Sequence, residues 1–278
     1  MSAAGLRFGT SSWSAKSWVG PFYPKGTKPA DFLPFYATQF NTVEVDATYY
    51  AIPAQRTVEG WATKLPEGFA MAAKFPRHIV HAGDNWVPDT QKILQPEHVA
   101  GPTQLFLERM ALLGDKCGPL LLQFPWFGRQ APLEQDAFLE RLERFVESLP
   151  KDFRYAVEVR NRQWIGQPLM DLCRRLSIAF VWSELANMPH PAQQAQGLDI
   201  RTTDFVYARL IGDRKAVDRV TESFDKVVLD KDADLRRWAE LLSPAQAGTP
   251  ESYIYANNHY AGHGPGTIRR LQELVAGA

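Results

Sequence analysis

The sequence predicts an α/β fold, a single (β/α)8 TIM barrel over residues 1–278, and three observations carry that prediction. Eight short, mostly apolar segments recur along the chain, and amphipathic stretches with helical spacing lie between most of them. The length of 278 residues suits one barrel, which commonly takes about 250. Strands that alternate with helices form parallel sheets, and eight of them in this length favour a closed ring over an open sheet. No GxGxxG follows the first apolar segment, and no GxxxxGK followed by Ser or Thr occurs, so the two commonest nucleotide-binding loops are absent.

The expected strands are 6–10, 42–46, 69–74, 119–124, 154–160, 178–182, 205–210 and 253–257. Between the fourth and fifth, residues 132–149 place Leu133, Phe138, Leu142, Phe145 and Val146 on one helical face. Two connections break the pattern. After strand three, residues 75–95 carry Pro76, His78, His81, Gly83, Trp86 and Pro88 before any helical periodicity, which reads as a long loop over one rim. Between strands six and seven, residues 183–204 carry Pro189, Pro191 and Gly197 and predict an irregular connection. Gly114, Gly118 and Pro150 read as turn punctuation before strands.

Composition narrows the function classes. The chain has 45% hydrophobic and 22% charged residues, as an ordinary globular protein does. Its 31 basic and 31 acidic residues balance, so nothing favours a general affinity for nucleic acid or an anionic membrane. No stretch approaches the roughly 18 apolar residues of a membrane span, and the first residues lack the pattern of a secretory signal, so a cytoplasmic location is expected. Cys117 and Cys173 lie far apart with no CxxC, which suits reduced, structural thiols. No cofactor is expected. Nor is a metal, because only His81 and His259 closely follow strands and neither HxH nor HExxH occurs.

The strands themselves carry the functional signal. A strand buried on both faces reads as continuous Val, Ile and Leu, and accepts an ionised side chain only where partners compensate it. Here the second strand carries Glu44 and Asp46, the third ends in Lys74, the fourth has Gln123, and the fifth has Glu158 and Arg160. The sixth has Trp182, the seventh Arg209, the eighth Asn257 followed by Asn258, and Thr10, Ser11 and Trp13 follow the first. Active sites of this barrel sit at the C-terminal ends of its strands. The two-residue period puts Glu44 with Asp46 on one face, and likewise Glu158 with Arg160.

These residues are therefore expected to form one rim around one volume. Glu44, Lys74 and Glu158 are the candidate acid/base groups, with pKa values displaced toward neutrality by partial dehydration. Trp13, Asp46, Gln123, Arg160, Trp182, Arg209, Asn257 and Asn258 are the candidate ligand contacts. The competing reading is a ring of satisfied salt bridges that closes the core without chemistry. Residues 257–267 are rich in Gly just before the last helix, so the amides at Gly262 and Gly264 could cradle an anion, or simply shape a turn. Aromatics after strands one, two and four offer either core packing or a stacking platform for a sugar or base.

Several of these segments also carry a resemblance. GTSSWSAKSWVGPFYP at 9–24, TVEVDATYYAIP at 42–53, AAKFPRHIVH at 72–81, LLLQFP at 120–125, AVEVRNRQW at 156–164 and YIYANNHYAGHGPG at 253–266 occur in that order. Together they resemble the YecE-like family, domain of unknown function 72, over nearly the whole length. The resemblance implies a TIM barrel, typically bacterial or archaeal and cytoplasmic, with polar strand-end residues around a central pocket and no established reaction. It places the family's motif positions at Glu44, Lys74, Glu158 with Arg160, Arg209, and Asn257 with Asn258. Four departures are visible: Asp46 stands where asparagine is usual, Asn161 and Ile211 stand where histidines are expected, and the stretch after Arg214 is longer. The two missing imidazoles leave Glu44, Glu158 and Lys74 as the better proton carriers.

The expected function is an enzyme, a hydrolase, lyase or isomerase, acting by acid/base chemistry at the barrel mouth. Its ligand is expected to be small and polar, anionic or polyhydroxylated, with phosphate or carboxylate groups as candidates. The alternative is a non-catalytic ligand- or partner-binding barrel. Glycoside hydrolysis is a weaker reading, because strands two and five lie almost opposite each other in the ring. A retaining glycosidase needs its carboxyl groups about 5 to 5.5 Å apart. Metal-dependent nucleic-acid repair is also weaker, for want of a basic groove and a ligand cluster.

Overall fold

Alternation of large and small residues along the strands builds the barrel from the inside. The computed structural model describes residues 5–83, 85–243 and 251–277. Its strands are β1 Leu6–Thr10, β2 Thr42–Val45, β3 Ala70–Lys74, β4 Cys117–Gln123, β5 Tyr155–Glu158, β6 Ala179–Leu185, β7 Phe205–Gly212 and β8 Glu251–Ala256. All neighbours pair in parallel in the order β1-β8-β7-β6-β5-β4-β3-β2. Inside, Ala70, Ala72, Ala156 and Ala179 of β3, β5 and β6 leave room for Phe205, Tyr207, Tyr253 and Tyr255 of β7 and β8. The lumen is thus a packed core, as close packing of complementary volumes requires.

The first and last strands of that order, β1 and β2, meet at their C-terminal ends. Ser11 bridges Glu44, and the Ser12 N–H donates to the Glu44 carbonyl at 2.7 Å. A Cβ on Gly9 would fall on the Thr42 carbonyl oxygen, so this seam requires glycine. Tyr36 reaches in from the helix Pro29–Gln39 to finish it: its hydroxyl accepts from the Thr10 N–H at 2.7 Å and donates to the Thr42 carbonyl at 3.2 Å.

Outside, the strands' other faces, including Val43, Val45, Met71, Leu120, Leu122, Val157, Phe180 and Ile254, join a continuous apolar core. The helices over it include Gln55–Lys64, Pro96–Ala111, Gln135–Glu147, Gln167–Arg175, Asp232–Leu241 and Gly264–Ala276. At the N-terminal end of the barrel the lumen is closed by ions. Glu251 accepts from Arg7, Arg154 and the Tyr253 hydroxyl, which donates at 2.8 Å.

The irregular connections occur where proline and glycine place them. Residues 75–95 hold one turn of helix, Arg77–Val80, before Pro96–Ala111 begins. Residues 186–204 hold one turn, Pro191–Gln194. Strand ends differ from expectation by a few residues: β5 stops at Glu158 instead of 160, and β6 runs on to Leu185 because it stays paired with β7 as far as Gly212. The helix expected at 132–149 starts at Gln135. No helix of the described residues is long and apolar enough to cross a membrane.

Candidate functional site

The inward positions at the C-terminal strand ends bring Glu44, Lys74, Gln123, Glu158 and Arg209 together. Arg209 is the centre and is 1% exposed. Its Nε and Nη2 donate to the two Glu44 carboxylate oxygens at 2.9 and 2.8 Å, a bidentate pair. Its Nη1 donates to Gln123 Oε1 at 3.0 Å and to Glu158. The Tyr207 hydroxyl, two residues back on the same face of β7, donates to Glu44 Oε2 at 2.7 Å. Lys74 Nζ lies 3.7 Å from Glu44 and pairs closely with Asp46. At the other end, Arg160 Nε donates to Glu158 Oε1 at 3.1 Å.

The result is a chain of alternating charge: Asp46, Lys74, Glu44, Arg209, Glu158, Arg160. Three carboxylates meet three cations, so it is neutral, as buried charge must nearly be. The side chains of Glu44, Arg209 and Glu158 are at most 1% exposed, whereas Lys74 is 10%, Asp46 29% and Arg160 31% exposed. Its middle is sealed and its ends reach the mouth.

Electrostatics divide the group in the same way. Burial alone would push the Glu44 carboxyl up, but the charges of Arg209 and Lys74, with hydrogen bonds from Arg209 and Tyr207, outweigh it and hold Glu44 at about 2. Burial also opposes the charge on Glu158, yet Arg209 and then Arg160 keep it below the ordinary range. Burial works against the Arg209 guanidinium, and Glu158 and Glu44 nevertheless raise it well above its usual value. The displacement toward neutrality anticipated for the two glutamates therefore has the opposite sign, because the compensating cations lie closer than expected. Arg209 also lies between Glu44 and Glu158, where a glycosidase would need its sugar.

The other candidates are more dispersed. Trp182 points outward into the helix-facing core, 2% exposed, with its indole N–H donating to the Ile200 carbonyl at 2.9 Å. Trp13 packs edge-on against Trp61 at 5.8 Å. Asn257 caps the turn that follows β8, accepting from the His259 N–H at 2.9 Å. Asn258 accepts from the Trp18 indole at 3.2 Å and from the Gly264 N–H at 2.9 Å. The Gly262 N–H donates to the Asn258 carbonyl at 2.7 Å, and the Gly266 N–H to His263 Nδ1 at 3.1 Å. The amides that looked free to cradle an anion thus already have acceptors, and Gly262, with φ +103°, shapes the turn.

Two residues at the site do not stand out in the sequence. Tyr207 reads as an apolar strand residue, and only its two-residue offset from Arg209 signals its role. Arg77, three residues past Lys74, has a buried Nη2 without a hydrogen-bond partner among the described residues. Tyr49 feels both Arg160 and Arg77: burial pushes its hydroxyl up, against the pull of these two guanidinium groups. Among the described residues no group of three or more His, Cys, Asp or Glu side chains is gathered as a metal site would need. Burial pushes both free thiols, Cys117 and Cys173, up to about 12.

A family model described as "Protein of unknown function DUF72" matches residues 7–278. The UPF0759 protein YecE of Escherichia coli is 33% identical over 163 residues, which cover 58% of this chain and 51% of that protein. The UPF0759 protein YunF of Bacillus subtilis is 27% identical over 201 residues, covering 72% and 66%. The match thus spans about half of the first relative and just under two thirds of the second. Among solved structures, a DUF72 family protein of Thermotoga maritima superposes with a TM-score of 0.70 at 25% identity, covering 97% of both chains. One of Enterococcus faecalis gives 0.72 at 21% identity, covering 98% of this chain and 95% of the other, and shares the fold.

Proposed function

This chain belongs to the DUF72 family, whose description assigns no reaction, and on that premise we propose that it is an enzyme acting by acid/base chemistry on a small polar ligand with an anionic group. One observation carries the reading: the charge chain is sealed in its middle and open at both ends. Glu44, Arg209 and Glu158 form a fixed electrostatic floor. Above it, Arg160 and Arg77 hold the ligand's anion, and the Lys74–Asp46 pair, which reaches solvent through Asp46, donates and accepts the proton.

The exclusion of Glu44 as the base follows from its depressed pKa, and the choice of Lys74 with Asp46 from their place at the open end of the charge chain. A general base works best with a pKa near the working pH, and a carboxylate held at about 2 is a poor one. Glu44 and Glu158 act here by fixing Lys74 and Arg160 in place. A preorganised charge of that kind stabilises developing charge without reorganising during the reaction.

Native mass spectrometry of the freshly purified chain, followed by thermal-shift screening with phosphorylated and carboxylated metabolites, tests this. A ligand at a hundred times its Kd stabilises by about 2.7 kcal/mol, which such a screen reads easily. The expected result is stabilisation by an anionic ligand that Arg160→Gln abolishes, and turnover of that ligand that Lys74→Met abolishes. Undiminished binding in Arg160→Gln would overturn the site. Binding without turnover under all conditions would favour a purely ligand-binding barrel.

A further inference from the structure

Two of the eight tryptophans are left in solvent on the C-terminal side of the barrel. Trp86, in the loop after β3, is 91% exposed, and Trp126, in the loop after β4, is 63% exposed. Both line one cleft of about 520 Å³, together with Phe127, Arg129, Gln130 and Gln163. Single exposed apolar residues need no explanation, but two indoles on one cleft mark a binding surface.

The loops are built to present these rings. The side chain of His81, whose residue is 5% exposed, braces the first loop: its Nδ1 accepts from the Gly83 N–H at 3.3 Å and its Nε2 lies 3.3 Å from the Trp86 carbonyl. The Asp89 N–H closes the loop onto the His81 carbonyl at 3.0 Å. In the second loop the six-membered ring of Trp126 lies where a Cβ of residue 128 would be, so Gly128 lets the indole rest on the backbone. The loop is clamped by Asn161, which donates to the Phe127 carbonyl and accepts from the Phe127 N–H, each at 2.8 Å.

That clamp joins the cleft to the mouth. Asn161 follows Arg160 directly, and Gln163 lies only three residues beyond Arg160, so their Cα atoms are at most about 11 Å apart. A ligand in the cleft can therefore carry a substituent toward Arg160. The cleft offers aromatic surface for an apolar ring face, and amides at Gln130 and Gln163 that both donate and accept at the ring's edge. A sugar ring has that combination, C–H faces above and below and hydroxyls around its edge.

We infer that the Trp86–Trp126 cleft is a ring-stacking subsite, and that the ligand of the mouth is a sugar bearing a phosphate or carboxylate. The inference rests on the reading of the mouth given above and names its substrate class. Isothermal titration calorimetry of the whole chain tests it, with hexose phosphates, hexuronates, glucose, AMP and inorganic phosphate as probes. At least one anionic hexose is expected to bind about tenfold or more tightly than inorganic phosphate. The Trp86→Ala/Trp126→Ala double variant, with both rings in solvent, should keep its melting temperature and lose that margin.

A margin that survives in the double variant, or an anionic hexose that binds no better than phosphate, overturns the cleft and leaves the mouth standing. AMP binding more tightly than every sugar overturns the sugar class. Arg160→Gln leaving all affinities unchanged overturns the mouth itself, and with it the inference. Absence of binding by every probe has the same consequence.

Discussion

Arg209 engages four acceptor contacts at the centre of the barrel: two to Glu44, one to Gln123 and one to Glu158. Removing one partner of such a group leaves the others as uncompensated buried charge, which costs about 3 to 5 kcal/mol. Arg209→Met should lose that much stability in urea denaturation at neutral pH. The loss should shrink in mild acid, because Glu44 and Glu158 can then take up protons. A loss below about 1 kcal/mol would show that the carboxylates are solvated rather than sealed. The residues of this centre were legible in the sequence as charges that an apolar strand does not otherwise tolerate. Their pairing was not, because a one-dimensional pattern does not show that a single guanidinium spans the ring from β7 to both β2 and β5. Trp182 shows the converse: it shares a strand with Ser183, but one residue of offset turns it to the outer face.

Among the elements, the β1–β2 seam is the most sensitive to a single atom. Gly9 faces the Thr42 carbonyl without room for a Cβ, and the next contact along, Ser12 to Glu44, holds the backbone that carries Glu44. Gly9→Ala should therefore destabilise the chain by about 1 to 3 kcal/mol or more, as overpacking does. It should also raise the hydrogen-exchange rate of the Ser12 amide; full protection in the variant would mean that the seam relaxes freely. The last loop gives a different lesson. Glycines before a helix left an anion cradle and a shaped turn equally open, and Asn258 and His263 supply the acceptors from within the loop itself. The sequence contained both residues, and nothing in their spacing marked them as caps in preference to ligand contacts. The long loop after β3, by contrast, was legible from its prolines and glycine, and it carries Trp86.

Over the whole molecule, three layers follow from side-chain size and charge. Arg7, Arg154 and Glu251 close the N-terminal end, tyrosines and alanines fill the lumen, and the alternating ions lie at the C-terminal end. The eight apolar segments and the helical spacing between them made this architecture readable, because a barrel of this length has few alternatives. The state of ionisation at the mouth was not readable, since desolvation and pairing push a carboxylate in opposite directions and only distances decide between them. Glu44 has a folded value of about 2 against an ordinary 4.5. Its contribution to stability is thus fully present above about pH 4.5 and is lost as the pH falls toward 2. That window corresponds to roughly 3 kcal/mol. The most direct measurement is a carbon-13 NMR titration of the Glu44 side-chain carboxyl. Glu44 is expected to stay ionised down to the acid limit of the folded state, below pH 4; a titration midpoint above about pH 5 would restore it as a proton carrier and contradict the fixed floor beneath Lys74 and Arg160.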